Sequence, residues 1–62
     1  MPKHLIWTHR GKLLVIWNPN IRWNYWNFGD INPVTGVWIS RGRMKGQDAA
    51  KKAAEKHFDS AR

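Results

Sequence analysis

Residues 21–28 read Ile21-Arg22-Trp23-Asn24-Tyr25-Trp26-Asn27-Phe28, the densest aromatic run in the chain. In an extended strand successive side chains point to opposite faces, so Ile21, Trp23 and Tyr25 share one face while Arg22, Asn24, Trp26 and Phe28 share the other. The first face is mostly apolar and is read as the one that receives the rest of the core. The second mixes rings with amide and guanidinium groups and suits a flat, polar, negatively charged partner. A slip of one residue at a bulge exchanges the two faces.

Upstream, residues 4–8 alternate, with Leu5 and Trp7 on one side and His4, Ile6 and Thr8 on the other, which predicts a short strand. Gly11 then supplies the positive φ of a tight hairpin. Leu13-Leu14-Val15-Ile16-Trp17 is apolar on both faces and predicts a central strand over about 12–17. Asn18-Pro19-Asn20 ends it, since proline cannot donate to a ladder. Downstream, residues 29–36 read as a loop with an Asn32-Pro33 turn starter and Gly36 to close it. Residues 37–43 form the next strand, with Val37, Ile39, Arg41 and Arg43 on one side and Trp38, Ser40 and Gly42 on the other. Gly42 marks a bulge or the point where the strand leaves the sheet.

From Gln47 the period changes from two to about 3.6, as Ala49, Ala50, Ala53, Ala54, His57, Phe58 and Ala61 recur at helical spacing. This predicts a helix over about 47–60, capped by Asp48 or Gly46. A stripe of alanine lets the helix axis come close to a sheet carrying bulky rings, so that large groups on one layer meet small groups on the other. The expected fold class is α+β: an antiparallel sheet of three to four strands, with one C-terminal helix packed on one face of a single small domain. Such a two-layer arrangement leaves the other sheet face open.

Sixty-two residues bury only about 60% of their unfolded surface, so stability is marginal and large core side chains are needed. Cysteine is absent, which excludes disulfides and thiolate metal sites. Five Trp, two Phe and one Tyr must therefore supply the apolar area. No run approaches the roughly 18 apolar residues of a membrane span, and Met1-Pro2-Lys3-His4 lacks the apolar stretch of a signal peptide, so a cytoplasmic location without membrane contact is expected.

The net charge of +7 points to an acidic partner. It is unevenly spread. Lys3, Arg10, Lys12, Arg22, Arg41, Arg43 and Lys45 face only Asp30 in the first 47 residues, whereas the remainder is nearly balanced. Catalysis is not expected: three of the four acids lie in the helix, no acid is spaced with a histidine for proton transfer, and neither serine sits in a glycine-framed elbow. His4, His9 and His57 offer no metal-ligand spacing, and no cofactor-binding motif is present.

What remains is a basic and aromatic constellation. Arg41, Arg43 and Lys45 alternate with Gly42, Met44 and Gly46, so an extended chain projects three cations to one side, where they can track a phosphate backbone. Arg22 and Asn24 on the hairpin partner are residue types that contact guanine and adenine edges, and exposed Trp26 or Trp38 would stack on bases or wedge between them. Lys51, Lys52 and Lys56 read as the solvated face of the helix, diluted by Glu55 and Asp59.

Three antiparallel strands, a basic hairpin and a following helix resemble the arm-site-binding domains of tyrosine-recombinase integrases and the plant ethylene-response-factor DNA-binding domains, which set the sheet in the major groove. Residues 1–9 depart from that pattern by adding a strand. Residues 45–56, Lys-Gly-Gln-Asp-Ala-Ala-Lys-Lys-Ala-Ala-Glu-Lys, are also similar to the close of a double-stranded-RNA-binding domain, whose preceding alanine-rich helix is missing here. The resemblance implies a sheet or helix-start surface meeting a duplex. The expected function is thus nucleic-acid binding, with duplex DNA favoured over RNA, through Arg22, Asn24, Trp26, Trp38, Arg41, Arg43 and Lys45. A protein-binding module that presents the same Trp- and Arg-rich face to an acidic protein is the alternative. Self-association through an edge strand or the open face is a third expectation.

Overall fold

The computed structural model describes residues 3–20 and 22–60. Four strands, β1 (Lys3–His9), β2 (Lys12–Asn18), β3 (Tyr25–Ile31) and β4 (Trp38–Lys45), precede one helix, α1 (Gln47–Ser60). The strands pair antiparallel in sequence order, so the sheet is a meander with β1 and β4 at its edges. The expected α+β class holds, and the additional N-terminal strand lies beside β2.

Arg10 and Gly11 form the turn between β1 and β2 with φ of 52° and 79°, and two positive values are what a two-residue hairpin turn matching the strand twist requires. Gly46 serves as the N-cap of α1: its carbonyl accepts from the Ala50 amide at 3.1 Å, and its own amide donates to the Asn24 carbonyl at 2.7 Å. Asp48 instead sits in the first turn, where a carboxylate complements the positive end of the helix dipole.

The core lies between α1 and one sheet face. Leu14, Ile16, Trp26 and Phe28 supply the bulk, Ala50 and Ala54 the small surface above them, and Leu5, Trp7, Ala53 and Phe58 close the sides. Phe28 stands opposite Gly42, where a Cβ would come within 2.6 Å of the ring, so the ring occupies the space a side chain would take. The helix axis is held close because both fully buried helix residues are alanines.

The face assignment of the aromatic run is reversed. Trp26 and Phe28, 6% and 8% exposed, point toward α1, whereas Trp23 and Tyr25, 56% and 47% exposed, do not. Alternation is kept from Tyr25 to Phe28; what differs is which set meets the helix. Gly42 opposite Phe28, and Leu14 and Ile16 on the same face of β2, complete a floor for Trp26 and Phe28. The third strand also begins at Tyr25 instead of residue 21, because the connection turns on Asn18. Its side-chain Nδ2 donates to the Trp23 carbonyl at 2.9 Å, and its Oδ1 accepts from the Asn20 backbone amide at 2.9 Å. Ile21, expected on the helix-facing side, lies outside the described residues.

β4 carries a bulge. Gly29 pairs with Ser40 and Phe28 with Gly42, so Arg41 is the extra residue. A Cβ on Gly29 would collide with the Ile39 carbonyl, and glycine is what allows the bulged strand this close. The alternation of β4 therefore changes phase at Arg41, and Trp38, Ser40, Arg43 and Lys45 all fall on the helix-free face. The expected grouping of Arg41 with Arg43 is broken.

Candidate nucleic-acid interface

The helix-free face is not uniform along the strands. Its middle is capped by rings: Trp38 meets Trp17 and His4, each at a centroid distance of 5.3 Å. Val15, on that same face, is 0% exposed although no helix covers it. Trp38 thus belongs to a small cluster of rings on the open face, although it is itself 37% exposed.

At one end lie the β1–β2 turn, the 32–37 loop and the last turns of α1, and here the cations are paired. The Arg41 Nε donates to Asp30 Oδ1 at 2.9 Å, and Lys12 Nζ lies 3.7 Å from Asp30 Oδ2. Arg10 reaches Asp59 at 3.5 Å, and His9 stands between Asp59 at 2.8 Å and Glu55 at 3.4 Å. Asp30 is buried, at 7% exposure, and its charge is compensated by these two bases. Arg41 is therefore a partner of Asp30 through its Nε, and the bulge sets it out of line with Arg43 and Lys45.

The opposite end is built from the end of β2, the 18–24 connection, the start of β3 and the end of β4. Asn20 Oδ1 accepts from the Arg22 amide at 3.0 Å and the Asn20 carbonyl from the Trp23 amide at 2.9 Å, so the connection is a braced turn that holds Arg22 and Trp23 outward. Cross-strand pairing sets Lys45 opposite Tyr25 and Arg43 opposite Asn27. Among the described residues, Lys3, Arg22, Arg43 and Lys45 make no ion pair, as is also true of Lys51, Lys52 and Lys56 on the outside of α1. A recess of about 60 Å³ lies between Pro19, Trp23, Tyr25, Asn27 and Arg43. A wider cleft of about 310 Å³ on the helix side of Trp23 is flanked by Lys3, Arg22 and Asn24. Trp23 divides the two.

Of the seven residues singled out by sequence, Arg22, Asn24, Arg43 and Lys45 gather at this end, Trp38 sits in the ring layer, Arg41 is held by Asp30, and Trp26 is core. Trp23, Tyr25, Asn27, Pro19 and Lys3 were not among them. The signal for the two rings was present in their spacing, since they alternate with Trp26 and Phe28; the side that α1 covers decides between the sets. No group of three or more His, Cys, Asp or Glu able to hold a metal occurs among the described residues. No helix among them is long and apolar enough to cross a membrane. In comparisons with known proteins, the chain matches no family model, no curated protein and no solved structure.

Proposed function

We propose that this is a DNA-binding domain that holds its partner at the Trp23–Lys45 end of the helix-free sheet face. The observation that supports the reading is the sorting of charge: the ion pairs gather at one end, while Lys3, Arg22, Arg43 and Lys45 stand unpaired around two exposed rings at the other. Unpaired cations held close together repel one another, and a phosphate backbone relieves that repulsion while releasing its counterions. Arg43 and Asn27, side by side across the β3–β4 ladder, are residue types that also contact base edges. The phosphate contacts serve duplex and single strand alike.

The experiment is an electrophoretic mobility shift at low salt with the wild-type chain and with Arg43→Glu/Lys45→Glu. A shift that the charge reversal abolishes is expected. A wild-type chain that leaves DNA unshifted at low salt removes the reading.

A protein partner is the second reading, and one observation favours it: the other end of the domain exposes Leu13 at 42%, Val37 at 57% and Val34 at 90%. Leu13 lines a recess there with Ile31 and Pro33, and exposed apolar surface of this kind is what protein contacts use. Capture of one defined protein that survives nuclease and moderate salt, and is lost in Leu13→Asp, would establish it.

A further inference from the structure

We infer that the site takes single-stranded DNA, with an unpaired base stacked in the recess between Trp23 and Tyr25 and the adjoining phosphates held by Arg43 and Lys45. The inference rests on the DNA-binding reading above and names the form of the partner.

The first ground is how the aromatic side chains are used. Trp26 and Phe28 are core, and Trp7 and Phe58 pack against it. Trp17 and Trp38 pack against each other, tilted by 49°, over the middle of the open face. Trp7 also donates its indole N–H to Glu55 at 3.1 Å and lies under the Lys51 ammonium. Trp23 and Tyr25 differ: among the described residues neither is paired with another ring or covered by a cation. A domain this small is short of apolar area to bury, so leaving two of its largest side chains about half exposed forgoes stability that it needs.

The second ground is shape. The recess joins Pro19 and the two rings at the foot of a sheet, next to Arg43 and Asn27. Flat apolar faces bordered by cations match a base whose π-face is free and whose phosphate lies a short reach away. In a duplex that π-face is already occupied by the neighbouring base pairs, and a ring reaches it only by wedging between base steps at the cost of unstacking them. The third ground is charge complementarity. Arg22 and Lys3 continue the positive surface past Trp23 onto the other side of the domain, so a flexible strand can follow cations around the end. A stiff duplex cannot follow that turn without being bent.

The test uses the full chain and three probes of equal phosphate number: an oligothymidylate, a hairpin duplex, and inorganic polyphosphate, which has charge but no bases. Each competes with a labelled oligothymidylate in fluorescence anisotropy at fixed salt. Stacking of one base predicts that oligothymidylate binds about 5- to 150-fold more tightly than polyphosphate. Trp23→Ala and Tyr25→Ala should each remove much of that margin and leave polyphosphate affinity unchanged, whereas Tyr25→Phe keeps the ring and should retain it. Far-UV circular dichroism checks that each variant is folded. Equal affinity for the duplex, or ring variants that bind oligothymidylate as tightly as wild type, would overturn the inference while leaving DNA binding in place. If no DNA probe binds at low salt, the DNA-binding reading falls, and this inference with it.

Discussion

Trp23 and Trp26 are three residues apart in one aromatic run, and the fold predicts that removing them has unequal consequences. Trp26 is 6% exposed beneath α1, and Trp23 is 56% exposed at the end of the sheet. Burying a whole Trp side chain removes about 200 Å² from water, worth about 5 kcal/mol at 25 cal/mol/Å². Nearly all of that applies to Trp26 and less than half to Trp23, and a compact unfolded state trims both by about 10–40%. Trp26→Ala should therefore cost about 3–4 kcal/mol and Trp23→Ala about 1.3–2 kcal/mol. The whole domain, at 62 residues, is expected to be stable by about 3–9 kcal/mol, so the first loss consumes a third of it or more. Urea unfolding followed by far-UV circular dichroism measures both. With a slope of about 1 kcal/mol/M, Trp26→Ala should lower the midpoint by about 3 M or abolish the cooperative transition. The shift for Trp23→Ala should be about 1.5 M. Equal shifts, or the larger one at Trp23, would refute the face assignment and with it the site.

Arg41 and Arg43 provide a second contrast. Arg41→Ala breaks the hydrogen bond to buried Asp30 and should lower stability by about 1–2 kcal/mol, with the salt dependence of DNA binding unchanged. Arg43→Ala should do the opposite, reducing the slope of log K against log salt by about 0.7–0.9 at wild-type stability. In the helix, Ala54→Leu adds methylenes at a position that is 0% exposed above Trp26 and Phe28, and thermal unfolding should show a loss of about 1–3 kcal/mol. Gly29→Ala sets a methyl group against the Ile39 carbonyl, so β4 must move away or lose its bulge. Hydrogen exchange should then show lost protection at the amides around the Gly29–Ser40 pair, and unchanged protection there would contradict the bulge.

The fold class could be read from the chain because its signals are local. Alternation marks the strands, Gly11 marks the first turn, and the change of period at Gln47 marks the helix. The orientation of the aromatic run could not, since alternation yields two sets of side chains and is silent on which set meets the helix. Residues on other elements decide that: Gly42 makes room for the Phe28 ring, and Ala50 and Ala54 let α1 approach. Arg41 was misgrouped for a similar reason. A bulge of one residue, tied to a close approach at Gly29, reverses the phase of β4 halfway along; Gly42, between Arg41 and Arg43, marks a bulge here without saying which residue leaves the alternation. The start of β3 depends on an Asn18 side chain that reaches a carbonyl five residues onward, a tertiary bond that no local propensity announces.

The site claim is tested most directly by mapping the bound face on the protein itself. In a ¹⁵N–¹H correlation spectrum of the labelled chain titrated with a short oligothymidylate, the account predicts shifts at the amides of Trp23, Tyr25, Asn27, Arg43 and Lys45 and at the Trp23 indole N–H. Amides of His9, Arg10, Val34 and Asp59, at the far end, should stay in place. Shifts confined to Lys51, Lys52 and Lys56 on the helix, or gathered around Val34 and Leu13, would contradict it.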